Sequence, residues 1–179
     1  KRARRFSAMK AAERAAGVAM RPLLKSAHSM KHVRRSVLVW YSAREMYTLV
    51  SGVEDYPRFL PWCASAEVLE RRDDGVTARL GLAYKGVRHA FTTRNTNVED
   101  RSVTVALVDG PFSLLEGMWQ FNPIPGVPEG QQASRIELDL RYAFAGTKLE
   151  ALIGPVFDRV ANSFVDAFVR RAQDVYGAR

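Results

Sequence analysis

Chemistry in this 179-residue chain would have to come from a short roster of three histidines, one cysteine, and scattered serines and tyrosines. His28, His32 and His89 belong to no Cys/His cluster with zinc spacing, so no metal site is expected. Ser113 and Ser163 sit in no motif that would activate a hydroxyl, and no glycine-rich loop follows a strand to cradle a phosphate. Cys63 would need a neighbouring cation to hold a thiolate. Trp62-Cys63-Ala64 supplies none, so Cys63 reads as a packed thiol. The expectation is a protein with no catalytic residue, no metal and no catalytic cofactor, and therefore not an enzyme.

Stiff aromatic surface is what the chain does offer. Glu54-Asp55-Tyr56-Pro57-Arg58-Phe59-Leu60-Pro61-Trp62-Cys63 holds three large aromatics, two prolines and the cysteine. Each proline fixes its own φ and drives the preceding residue toward extended geometry. This predicts a rigid lid or corner packed on apolar surface, with one turn of helix around Arg58–Leu60. Tyr56, Phe59 and Trp62 could instead form an edge that docks on a membrane to collect a lipid; the packed lid is the expectation.

The elements that must position this lid follow from periodicity. Val33–Tyr41 is rich in β-branched and aromatic residues and predicts a strand. Ser42 and Glu45 then form a capping box for a helix whose apolar face is Met46, Leu49, Val50 and Val53. From Ala66 to Phe144 the period changes to two, as in Ile136, Leu138, Leu140, Tyr142 and Phe144 against Arg135, Glu137, Asp139 and Arg141. Such alternation predicts an antiparallel sheet buried on one face. Asp73-Asp74-Gly75, Lys85-Gly86, Asp100-Arg101 and Asp109-Gly110-Pro111 mark its turns, and Pro123–Gln132 a longer loop. A helix from Lys148 to Tyr176, capped by a Thr147/Glu150 box, presents Leu149, Ile153, Val156, Phe157, Val160, Phe164, Phe168 and Val175 as one stripe. It would reach roughly 40 Å, with a kink or late start near Ala151–Pro155 and a stop at Gly177. The predicted class is α+β: a strand, one or two short helices, about six antiparallel strands, and a long helix gripped by the sheet.

Charge is unevenly placed. Residues 1–29 hold eight Lys/Arg and one acid, so they account for +7 of the formal +8. Residues 30–179 are nearly neutral, and the overall pI therefore argues for neither DNA nor RNA binding. The basic segment would suit an arm touching RNA or a membrane, or a targeting peptide. Met30, directly before the first strand, would serve as a start codon, so residues 1–29 are expected to be disordered or non-native and 30–179 to form one domain. With no secretory signal and no long apolar run, a cytoplasmic protein is expected, at most peripheral at the inner membrane, on the matrix side if mitochondrial.

This order of elements, with Tyr56-Pro57-Arg58-Phe59-Leu60-Pro61-Trp62-Cys63, Phe91-Thr92-Thr93-Arg94-Asn95, Asp109-Gly110-Pro111-Phe112 and Val165-Asp166-Ala167-Phe168, resembles the coenzyme Q-binding branch of the START-like superfamily. Its bacterial members are also called ribosome association toxin A. The resemblance covers about residues 31–177 and implies a helix-grip (START/Bet v 1-like) fold of 6–7 strands with a lipid cavity. Leu82, Tyr84, Phe91, Leu107, Trp119 and Leu140 would line its sheet side, and Phe157, Val160 and Phe164 its helix side. Phe59, Leu60 and Trp62 would close the mouth. Tyr84, Arg94, Asn95 and Trp119 are candidate partners for a quinone head. The implied ligand is ubiquinone or a polyprenyl precursor, in support of respiration or quinone synthesis. The family's other role implies binding to the large ribosomal subunit, which a basic patch formed by Arg88, Arg94, Arg135 and Arg141 would favour.

Overall fold

Alternating apolar and polar residues build seven strands in the computed structural model, which describes residues 29–179. The expected N-terminal extension, up to residue 28, lies outside the described residues. Strand β1 (Lys31–Val39) leads to α1 (Ala43–Ser51) and a 3₁₀ segment (Val53–Arg58). Then come β2 (Cys63–Arg72), β3 (Gly75–Tyr84), β4 (Val87–Val98), β5 (Ser102–Asp109), β6 (Phe112–Pro123), β7 (Ser134–Phe144) and α2 (Thr147–Tyr176). All neighbours pair antiparallel in the order β1-β7-β6-β5-β4-β3-β2, so β1 closes against the last strand. This is the predicted α+β arrangement of a sheet wrapped on a C-terminal helix.

Ser42 caps α1 as expected: its hydroxyl accepts from the Glu45 N–H while the Glu45 carboxylate accepts from the Ser42 N–H. Met46 and Val50 of α1 are buried. Several local expectations need correction. β1 starts at Lys31 and ends at Val39, so Tyr41 lies beyond it, where its hydroxyl donates to the Gly177 carbonyl at 2.6 Å. The helical turn near the prolines falls at Val53–Arg58 rather than Arg58–Leu60. Pro57 tolerates helical φ, whereas Pro61 forces Leu60 out of it.

The Thr147/Glu150 box does not form. Gly146, at φ +147, is the N-cap of α2, which makes Thr147 the first helical residue. Nor does α2 start late. It runs through Pro155, whose missing N–H would have met the carbonyl of solvent-exposed Ala151, where water can replace it.

At 1.5 Å per residue α2 is about 45 Å long. Two ion pairs bind it to the sheet edge: Lys31 Nζ to Asp158 at 2.7 Å and Arg35 Nη2 to Asp166 at 3.0 Å. The Tyr142 hydroxyl also donates to Asp158 at 2.7 Å. The apolar stripe does the rest, with Ile153, Phe157, Val160, Val165 and Phe168 buried against the concave face. Phe168 is fully buried, and its ring meets those of Tyr56, Phe59, Phe164 and Trp119. Replacing it by alanine should destabilise the protein by about 3–5 kcal/mol. Urea unfolding should show this as a lower midpoint with an unchanged slope; a loss below about 1 kcal/mol would mean that α2 is not anchored there.

Candidate functional site

The inward residues of β3–β7 and the facing side of α2 leave one apolar space under the lid, about 70 Å³ in volume. Sites for drug-sized ligands run to about 300–1,000 Å³. The rings themselves take up the room. Trp62 stacks on Phe164 with centroids 5.4 Å apart, Trp119 lies 6.0 Å from Phe164, and Phe91 meets Phe157 edge-on at 6.2 Å.

Of the expected lining residues, Trp62, Phe91, Trp119, Leu140, Phe157, Val160 and Phe164 border this space. Six others do not. Leu82 is buried, but toward the β3–β4 turn, opposite Cys63. Tyr84 lies further along the same strand, half-buried, with the Lys85 ammonium 5.5 Å from its ring. Leu107, opposite Thr93, packs on the core on the same inward face as Val105, but of the two only Val105 borders the space. Phe59 packs edge-on against Tyr56 and Phe168 beneath the Arg171 guanidinium, behind the wall rather than in it. Leu60 is core. Arg94 is exposed on the outer face, because strand alternation turns it away from its inward neighbours Thr93 and Asn95.

Tyr56, Thr93, Asn95 and Gly117 also line the wall, among further apolar side chains. Thr93 donates its hydroxyl to Asn95 Oδ1 at 3.0 Å, a polar pair set into an otherwise apolar surface. The period-two run through Phe91 would have located Thr93 beside Asn95. Gly117 has no such signal. A Cβ there would lie 3.1 Å from Leu140 Cδ1, so the glycine lets the β6 backbone approach Leu140. The lining holds no carboxylate, imidazole or amine. Tyr56 uses its hydroxyl to donate to the Val50 carbonyl at 2.6 Å, and burial, then the nearby Cys63, push its pKa well above the ordinary tyrosine range. Cys63 is likewise pushed up to about 11 by burial, and its thiol donates to the Ser65 carbonyl. His89 is half-buried on β4 opposite Leu82, and exposed His32 bonds Asp139 at 2.8 Å.

The four arginines that would have favoured ribosome binding as one patch are split. Arg141 pairs with Glu116 at 3.2 Å, and Arg135 is on β7, three strands from Arg88 and Arg94 on β4. Among the described residues no helix is long and apolar enough to cross a membrane, and no cluster of His, Cys, Asp and Glu could hold a metal.

The profile of the family described as polyketide cyclase / dehydrase and lipid transport matches residues 39–169. A Pseudomonas aeruginosa protein named ribosome association toxin RatA is 42% identical over 146 residues, spanning 82% of this chain and 98% of its own. The mitochondrial coenzyme Q-binding protein COQ10 homolog B of Xenopus laevis is 26% identical over 143 residues, 79% of this chain and 58% of its own. Among solved structures, the Zhui aromatase/cyclase of Streptomyces sp. R1128 superposes with a TM-score of 0.69 at 16% identity, covering 84% of this chain and 100% of that one. At that identity the likeness establishes the fold alone.

The buried thiol carries a pH signature. Its folded value of about 11 lies above the ordinary 9.0, so the stabilisation it lends is complete below pH 9 and is lost as pH rises through 11. Thermal unfolding should therefore fall more steeply over pH 9–11 in the wild type than in Cys63→Ala. At pH 8 an aromatic disulfide reagent should label Cys63 far faster in urea than in buffer; equal rates would contradict the buried placement.

Proposed function

The chain belongs to the polyketide cyclase / dehydrase and lipid transport family, and within it we propose that this protein acts without catalysis, docking on the large ribosomal subunit and hindering its union with the small one. The observation that carries this reading is the filled interior. Rings occupy the space a substrate would need, and no acid/base pair lines what is left, so the working part is the outer surface. The near full-length likeness to a protein named for ribosome association supports the same reading, which needs a compartment containing ribosomes, the cytoplasm first. The purified protein should co-sediment with isolated large subunits in a sucrose gradient and lower the yield of joined ribosomes at fixed magnesium. Absence from the large-subunit fractions at low salt would refute it.

One feature supports a second reading. The Thr93–Asn95 pair set in an apolar wall suits the carbonyl end of ubiquinone or a polyprenyl precursor, provided Trp62 and Phe164 swing aside. Membrane contact by the lid would then serve lipid collection. Organic extraction of protein from quinone-producing cells, followed by mass spectrometry, should then recover a quinone that Phe164→Arg abolishes. Equal quinone content in wild type and variant would remove this pocket from consideration.

A further inference from the structure

From Gly75 to Val98 the chain contains no Asp or Glu, yet it carries Arg79, Lys85, Arg88 and Arg94. Residues 30–179 hold only one more base than acids, so this +4 hairpin leaves −3 on the rest of the domain. Strands β3 and β4 pair without interruption from Gly75↔Thr96 to Tyr84↔Val87. Lys85 at φ +48 and Gly86 at φ +82 make the two-residue turn, whose geometry matches the strands' own twist.

All four cations are exposed. Arg79, Arg88 and Arg94 share the outer face, opposite to the inward Ala78, Phe91, Thr93 and Asn95, and Lys85 stands at the tip. Arg94 pairs with Thr77 and Arg79 with Thr92, which makes the two arginines diagonal neighbours about 7–8 Å apart. None of the four has an ion-pair partner among the described residues, whereas both arginines of adjacent β2 do: Arg71 with Glu54 and Arg72 with Glu70. The acids nearest in register are Glu67, opposite Arg79, Glu70, opposite Thr77, and Asp109, opposite Thr92. Glu70 is taken by Arg72, and the other two form no ion pair.

Clustered like charges repel, and a polyanion reverses that cost. Guanidinium forks fit phosphate oxygens in pairs, and exposed Thr96 and Thr104, opposite each other, add neutral donors. Between the cations the outer face holds Gly81, Ala83, Ala90 and Thr92, with no large apolar side chain to enter a bilayer. We propose that the outer face of the β3–β4 hairpin binds the phosphate backbone of structured RNA, with Arg79, Arg88 and Arg94 on phosphates. The inference rests on the ribosome reading and specifies the surface it uses.

The test compares wild type with Arg79→Ala/Arg88→Ala/Arg94→Ala, in which only exposed side chains change, and with Arg135→Ala/Lys148→Ala/Arg170→Ala, which removes the same charge elsewhere. Binding to purified large subunits is measured across a salt series. The hairpin variant should lose at least tenfold in affinity, and its log K against log salt slope should flatten by about two to three for three lost phosphate contacts. The control variant should stay within about twofold of wild type. Wild-type binding with an unchanged affinity and slope in the hairpin variant would overturn the surface while leaving the ribosome reading intact. Failure of the wild type to bind would remove both. Hairpin-dependent retention by anionic phosphatidylserine vesicles, with subunit binding untouched, would also overturn the RNA assignment.

Discussion

The sheet has to bury one side of a 30-residue helix, and most of the architecture answers that demand. Phe157, Phe164 and Phe168 recur at helical spacing, so their rings fall on one side of α2 and set its rotation about its own axis. Sliding along the axis is governed by charge. Lys31 and Arg35 are four residues apart on β1, about 13 Å at strand rise, and Asp158 and Asp166 are eight apart on α2, about 12 Å at helical rise. Only one axial position lets both pairs close at 2.7 and 3.0 Å. These pairs are a quarter to a half exposed, so each adds little to stability. What they contribute is register.

The same rings that seat the helix also decide the interior. Trp62 reaches in from the lid to stack on Phe164, so the lid is part of the core rather than a cover over an empty vessel. Any ligand of substantial size must displace aromatic contacts that hold α2 in place. A partner on the outside displaces nothing. That difference in cost favours the outer surface as the working part, even in a fold whose solved relatives include an aromatase/cyclase.

Local order and the sheet-on-helix arrangement were legible in the sequence, whereas individual long-range partners were not. The Ser42/Glu45 box and the turn at Lys85-Gly86 depend on adjacent residues, and both formed as read. The Thr147/Glu150 box failed although its spacing was right. The chain leaves β7 with the Ala145 N–H bonded to the Pro111 carbonyl, and Gly146 then takes the cap. Lys31 and Arg35 face inward on a strand, against the usual rule, because their acids lie 127 and 131 residues away. No pattern in β1 announces such partners. The cavity wall was half legible for the same reason. Alternation located Phe91 and Leu140, but it put Leu107 and Val105 on the same inward face of β5 and could not tell that only Val105 borders the space.

β4 brings the two functional readings onto one strand. Phe91, Thr93 and Asn95 face the interior, while Arg88 and Arg94 face solvent. The cue to the outer face was an absence of acids over 24 residues, which a near-neutral domain total conceals. Because β4 is hydrogen-bonded to β3 on one side and β5 on the other, it is held from both edges. The groups that would have to move for a ligand, Trp62 and Phe164, belong to the lid and the helix. The spacing of the arginines is therefore the same whether the interior is filled or collapsed. A phosphate contact through them needs no signal from the cavity, and period-two alternation keeps the two faces chemically independent.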